Sequence, residues 1–183
     1  MRGTRAEQTR HRILAAAREF VLLEGAHKLT LDAVVQQAGV SKGSLLYHFP
    51  TKEALIQAML EEMLEELDRA VTSRAGQQPT RRELLLAYMD ALFEASTPQR
   101  REHTTPLLAA AANAPQLLGL VTEWLRRWEE RLTSAGALPP AARLALRAAH
   151  GCWLAATLGL QDAGRAEDLP EVARALLALV MEG

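Results

Sequence analysis

Apolar residues along this chain return every three or four positions rather than every second one, a period that predicts helices throughout. Ile13, Leu14, Ala17, Phe20, Val21 and Leu22 set the core stripe of a first helix over residues 6–24, with Gly25 placed to end it. Thr30 caps a short second helix with Leu31, Val34, Val35 and Ala38 on one face, and Gly39 turns the chain. Ser41 caps a third helix. It cannot run far, because Pro50 lacks the N–H a helix needs and disfavours helical geometry at Phe49. Thr51 then caps a fourth helix whose stripe is Leu55, Ile56, Met59, Met63, Leu64 and Leu67, running toward about residue 72.

The second half reads the same way. After the polar break SRAGQQP, residues Thr80 to Glu83 form a capping box ahead of a helix from Leu84 to Ala95. Thr105 and Pro106 open a short helix to about Ala112, and Pro115 opens a longer one that ends before Gly136. Pro139 and Pro140 start a helix over 140–163, and Pro170 starts the last, 169–181. Few positions alternate with period two, and every turn signal sits between helical stretches, so no strand is expected. The predicted class is all-α, with about nine helices.

Composition bounds what such a bundle does. At 183 residues, about half of them apolar, the chain is long enough for one sizeable core or for a small head on a larger body. No apolar run approaches the roughly 20 residues of a membrane span, and the stretch MRGTRAEQTRHRIL lacks the apolar centre of a secretory signal, so a soluble cytoplasmic protein is expected. The single cysteine, Cys152, excludes an internal disulfide and a cysteine-rich zinc site. Net charge is only −1, but residues 1–52 carry eight Lys or Arg against four Asp or Glu, while the remainder carries thirteen against eighteen. A head near +4 therefore precedes a body near −5, and all three lysines, Lys28, Lys42 and Lys52, lie in the head.

Two short helices about a Gly-Val-Ser turn meet the description of a helix-turn-helix, whose second helix lies in the major groove of duplex DNA. Phosphates need outward-reaching donors. The segment offers the hydroxyls of Thr30, Ser41 and Ser44 with Lys42, Tyr47, His48 and Lys52, and Gly43 removes a side chain where backbone and DNA would approach closely. Leu45 and Phe49, four apart, are expected to face inward against Leu31, Val34 and the first helix.

The segment GVSKGSLLYHFPTKEAL resembles the DNA-binding domain of the TetR family of regulators through Thr30, Ala38, Gly39, Val40, Ser41, Gly43, Leu45, His48 and Phe49, followed by Lys52, Glu53 and Leu55. Leu46 departs from the family's usual Tyr, which falls one place later as Tyr47, and Val35 stands for the usual small Ala. The resemblance implies that Thr30, Tyr47, His48 and Lys52 hold phosphates and that Lys42, Gly43 and Ser44 lie nearest the base edges. A leucine at 46 cannot donate to a phosphate, though it can touch a thymine methyl. Arg2 and Arg5 offer an arm toward the minor groove.

The same resemblance divides the chain into a DNA-binding domain, 1–52, and an effector-binding and dimerisation domain, 53–183, and implies a homodimer formed by the last two long helices. His150, Trp153, Leu154, Thr157, Leu158 and Gln161 form one face of such an interface, and Val172, Ala175, Leu176, Leu179 and Val180 another. An effector pocket would draw on Met63, Tyr88, Met89, Leu92, Phe93, His103, Trp124 and Trp128, which as a set suits a small, mostly apolar molecule. His150 and Cys152, two apart on a helix, make a poor metal pair, and no catalytic or phosphate-loop motif is present, so neither metal, cofactor nor enzymatic activity is expected. Two other readings remain open on the sequence: a helical adaptor that acts through a protein partner, and a small all-α enzyme.

Overall fold

The structure, a computed structural model, describes residues 5–97, 107, 114–134, 136–157, 172 and 175. Among them are seven α-helices and one 3-10 turn, and no strand: α1 Arg5–Glu24, α2 Leu31–Ala38, α3 Lys42–His48, α4 Lys52–Ala75, α5 Arg81–Ala95, α6 Pro115–Thr133 and α7 Pro140–Thr157. The class is all-α, as the periodicity predicts. The short helix expected to follow Thr105 and the last helix expected over 169–181 lie outside the described residues, apart from Leu107, Val172 and Ala175, each of which is helical.

The chain forms two compact units, Met1–Glu62 with Glu102–Leu118, and Met63–Arg101 with Gly119–Gly183. In the first, α1, α2 and α3 pack on one another. Ile13, Leu14, Ala16, Ala17 and Val21 of α1 are buried, with Val34 of α2, Leu45 of α3, and Leu55, Ile56, Ala58, Met59 and Leu60 of α4. Leu22 departs from expectation: it is 38 % exposed, Phe20 is half-buried, and Ala16 takes the inward position. The reason is angular. A small residue suffices where helices approach closely, and Leu22 lies past the edge of the stripe that Ile13, Ala17 and Val21 define.

Gly25 ends α1 with φ 85° and ψ 151°, a region that essentially only glycine occupies, and its N–H donates to the Val21 carbonyl at 2.9 Å. The 3-10 turn Ala26–Lys28 that follows is an addition to the sequence reading; it buries Ala26 and delivers Leu29, which is also buried, into the core. Ion pairs that brace this unit include Arg18 to Glu62 at 2.5 Å and Lys28 to Glu24 at 2.9 Å.

In the second unit α4 runs on to Ala75, a turn beyond the expected end, and buries Met63, Leu64, Leu67 and Val71. The capping box at α5 is present in full: Thr80 Oγ1 accepts from the Glu83 N–H at 3.3 Å, and the Glu83 carboxylate accepts from the Thr80 N–H at 2.8 Å. The Thr80 N–H and the Thr80 hydroxyl, each donating to the Glu83 carboxylate at 2.8 Å, hold this exposed carboxyl below its ordinary pKa. Helix α5 packs on α7, burying Leu84, Leu85, Ala87, Tyr88, Met89, Ala91 and Leu92. Arg74 pairs with Glu94, and Arg147 of α7 reaches Glu129 of α6 at 2.6 Å. Among the described residues no helix is long and apolar enough to cross a membrane, and no group of three or more potential metal ligands occurs.

Candidate functional site

Local hydrogen bonding builds the turn between α2 and α3. Thr30 is extended (φ −131°, ψ 153°), and its Oγ1 accepts from the Ala33 N–H at 3.2 Å, satisfying one of the free donors at the start of α2. Gly39 sits in the left-handed region (φ 60°, ψ 39°), which brings the Val40 N–H back to the Val35 carbonyl at 3.3 Å and ends the helix. Ser41 is extended again, its Oγ accepts from the Ser44 N–H at 3.1 Å, and α3 begins. Leu45 and Phe49 then anchor α3 with 0 % and 2 % exposure, each contributing about 2 kcal/mol by burial. Arg10 of α1 lies 5.6 Å over the Phe49 ring, a cation–π contact that adds α1 to the anchor.

With Leu45 and Phe49 turned in, the opposite side of α3 faces solvent. Ser41, Lys42, Gly43 and Tyr47 are exposed, and Ser44 and His48 are half-buried. Tyr47, 80 % exposed, stands edge-on to His48 with ring centroids 5.0 Å apart. Leu46 also projects, 39 % exposed. Thr30 stands exposed at the start of α2, and Lys52, half-buried, opens α4 just after the Pro50–Thr51 turn, where Thr51 Oγ1 accepts from the Ala54 N–H at 3.0 Å. Because the Thr30 and Ser41 oxygens accept from backbone, their O–H groups remain available as donors. A Cβ added at Gly43 would meet nothing within 4 Å, so packing within the chain gives no reason for glycine there. Lys42 is not a free cation: its Nζ lies 2.8 Å from Asp32 of α2.

The expected effector residues separate into groups. Met63, Tyr88, Met89, Leu92, Trp124 and Trp128 are buried in the second unit, Phe93 is half-buried, and His103 lies outside the described residues. Tyr88, Trp124 and Trp128 form an aromatic cluster: the Tyr88 ring centroid is 5.7 Å from that of Trp124 and 5.0 Å from that of Trp128. Trp153 of α7 joins it, 6.1 Å from Trp124.

Two polar groups that the sequence reading did not place here complete the cluster. The Asp68 carboxylate of α4 accepts from the indole N–H of Trp124 and of Trp128, both at 2.7 Å, and the Tyr88 hydroxyl lies 2.8 Å from Nε2 of His150. Burial, with the negative charges of Asp68 and Glu129 adding to it, pushes the Tyr88 phenol well above its ordinary pKa, so the hydroxyl keeps its proton. Burial and the Arg147 charge depress His150 to about 4 against the opposing pull of Glu129, so the imidazole is neutral, and in the tautomer protonated at Nδ1 its Nε2 accepts from Tyr88. A signal for Asp68 was present: two tryptophans four apart share a face of α6, and buried indoles need acceptors.

The expected dimerisation face on α7 is split. Trp153 is buried and His150 is bonded to Tyr88, so both belong to the interior of their own unit, whereas Leu144, Arg147, Gly151 and Leu154 face outward. The cause is the helical period: 150 and 153 follow the buried stripe of Ala142, Ala145, Leu146 and Ala149. Leu158, Gln161, Leu176, Leu179 and Val180 lie outside the described residues, and Val172 and Ala175 are exposed. Cys152 is half-buried and burial raises its thiol pKa.

A helix-turn-helix built this way, in a chain with a second, wholly helical unit among its described residues, defines a class of one-chain regulators. Residues 13–59 match the family described as bacterial regulatory proteins, tetR family, and residues 82–181 match the tetracyclin repressor-like C-terminal domain. The chain belongs to the tetR family of bacterial regulators. It is similar to the transcriptional regulator SrpR of Pseudomonas putida, 32 % identical over 97 residues, which cover 53 % of this chain and 46 % of SrpR. It is also similar to UidR of Escherichia coli K12, 43 % identical over 68 residues, which cover 37 % of this chain and 33 % of UidR. The chain thus spans about half the length of the first of these relatives and a third of the second. Among solved structures it resembles the multidrug binding protein EbrR complexed with ethidium, with a TM-score of 0.67 at 25 % identity over 94 % of this chain and 98 % of EbrR.

Proposed function

We propose that the chain represses transcription by binding a palindromic operator as a homodimer, and that a small, mostly apolar ligand releases it. The observation that carries this reading is the solvent face of α3: hydroxyls, an aromatic phenol, an imidazole and a lysine project together while Leu45 and Phe49 fix the helix from behind. In this reading Thr30, Ser41, Tyr47, His48 and Lys52 hold phosphates, and Lys42, Gly43 and Ser44 lie nearest the base edges. Gly43 fits that role because nothing inside the chain occupies the space its missing side chain leaves. Residues 1–52 serve as the DNA-binding domain and 53–183 as the effector and dimerisation domain of a cytoplasmic protein that binds and does no catalysis.

For the ligand, the aromatic cluster of Tyr88, Trp124, Trp128 and Trp153 favours a flat, aromatic molecule, and Asp68 adds a carboxylate suited to one that carries positive charge. EbrR, which binds ethidium, offers a relative with a ligand of that chemistry. Such a ligand acts by binding more tightly to a dimer whose recognition helices no longer match the groove spacing, so its differential affinity sets the release.

The test has two parts. Duplex fragments tiled across the region upstream of its own gene are titrated at several salt concentrations; one palindromic fragment bound tightly and with strong salt dependence is expected, and no such fragment would overturn the reading. Thermal melting is then followed with malachite green and with neutral aromatic compounds, where a concentration-dependent rise in Tm is expected from a ligand that binds only the folded state. DNA binding without any ligand response would instead favour a regulator acting through a protein partner.

A further inference from the structure

The first unit holds a polar groove of about 410 Å³ between the start of α1 and the turn of the helix-turn-helix. Arg5, Gln8, Thr9 and Arg12 line one wall, and Ser41 and Ser44 stand on the other; among the described residues no acidic side chain lines it. On a helix, positions 5, 8, 9 and 12 fall on one face, and Arg5 and Arg12, seven residues apart, are separated by roughly 10 Å along the axis.

Most described cations of the head are already engaged; Lys52 at the start of α4 shares with the groove arginines the lack of an acidic partner among the described residues. Lys42 is paired with Asp32, Lys28 with Glu24 and Arg18 with Glu62, while Arg10 is engaged over Phe49. Arg5 and Arg12 are exposed and have no acidic partner among the described residues. The hydroxyl hydrogen of Ser41 is available, since the oxygen only accepts from the Ser44 N–H. Two guanidiniums in line, neither with an acidic partner among the described residues, with hydroxyl and amide donors between and opposite them, match a run of phosphates along one nucleic-acid strand, which carries a charge about every 3.4 Å of axis.

We propose that this groove is a backbone clamp: Arg5 and Arg12 each hold a phosphate of the DNA strand that flanks the recognition helix, and Gln8 and Ser41 donate to the same backbone. The proposal rests on the DNA-binding reading above and adds α1 to the interface. It gives Arg5 a phosphate to hold, in place of a role in an arm that enters the minor groove.

Binding of the full-length protein to two 30 bp duplexes of unrelated sequence, followed by fluorescence anisotropy across a salt series, tests it. Each of Arg5→Ala and Arg12→Ala is expected to lower the slope of log Kobs against log salt by about 0.9 for every head bound, and the double variant by about 1.8, equally on both duplexes. Arg12→Lys keeps the charge and should keep the slope, and Arg69→Ala, on the exposed side of α4, should leave it unchanged. A double variant with the wild-type slope overturns the clamp alone, as does a loss shared by Arg12→Lys or confined to one sequence. Wild-type protein that binds neither duplex in a salt-dependent way overturns the clamp and the DNA-binding reading together.

Discussion

Lys42 Nζ lies 2.8 Å from Asp32 Oδ1, so the first residue of α3 is tied to the helix that braces it. Both side chains are largely exposed, at 61 % and 71 %, and a pair of that kind is worth only about 0–1 kcal/mol. The lysine is therefore held in position at little cost and is free to exchange its partner for a phosphate or a base edge. Asp32→Asn is expected to raise affinity for duplex DNA by about two- to fivefold at low salt, the equivalent of the pair's loss. The gain should vanish when Lys42 is also changed to Ala. Weaker binding by Asp32→Asn would mean that the pair orients α3 rather than restraining Lys42.

Lys52 opens α4 beyond the Pro50–Thr51 turn, and it has no acidic partner among the described residues. A lysine that contacts only phosphate adds affinity without regard to sequence. Lys52→Ala should weaken binding by the same factor on a palindromic and on an unrelated duplex, and lower the salt slope by about one for each head bound. Unchanged affinity and salt dependence would remove Lys52 from the interface.

The parts of the fold that were legible in the sequence are those set by short-range chemistry. Thr30, Ser41, Thr51 and Thr80 cap helices through side chains that reach only three residues on, and Gly39 adopts the left-handed turn its place after α2 demands. The inward anchors Leu45 and Phe49 follow from helical period. Pairings between distant elements leave no local period to read. Asp68 looks like a solvated residue on a charged helix until Trp124 and Trp128, 56 and 60 positions later, are brought to it. Lys42 looks like a free cation until Asp32 is folded beside it, and His150 like an interface residue until Tyr88 is.

Asp68 serves two donors at once, and both indoles are buried, Trp124 with 1 % and Trp128 with 4 % exposure. Asp68→Ala leaves two buried N–H groups without an acceptor, a loss expected to cost about 3 kcal/mol. Asp68→Asn keeps an acceptor oxygen and should cost markedly less. Urea denaturation followed by tryptophan emission measures both. Equal midpoints for Asp68→Ala and wild type would show that water satisfies the indoles.

His150 links stability to pH. Its folded-state pKa, near 4, lies below the ordinary value of 6.5, so between these values the unfolded chain binds the proton more readily. Stability from this group is fully present above about pH 6.5 and is lost as pH falls toward 4, at up to about 1.4 kcal/mol per pH unit. Protonation would also reverse the bond to Tyr88, because Nε2 would become a donor and the phenol oxygen its acceptor. Denaturation midpoints from pH 7.5 to 4.5 should fall in wild type and flatten in His150→Gln. An equally steep profile in the variant would assign the loss to other groups.

Gly43 sets stability against binding. In a helix glycine costs about 0.5–1 kcal/mol relative to alanine, and a Cβ here meets nothing within 4 Å, so Gly43→Ala should stabilise the free protein by about that amount. If α3 seats its backbone against DNA at this point, the added methyl keeps the helix from closing on the groove. Affinity for the operator should then fall by about tenfold, equivalent to about 1.4 kcal/mol, in a protein that melts at a higher temperature. The opposite signs are the diagnostic, since a structural defect would lower both quantities. Gly43→Ala protein that binds as tightly as wild type would show that the backbone of α3 does not approach DNA at this residue.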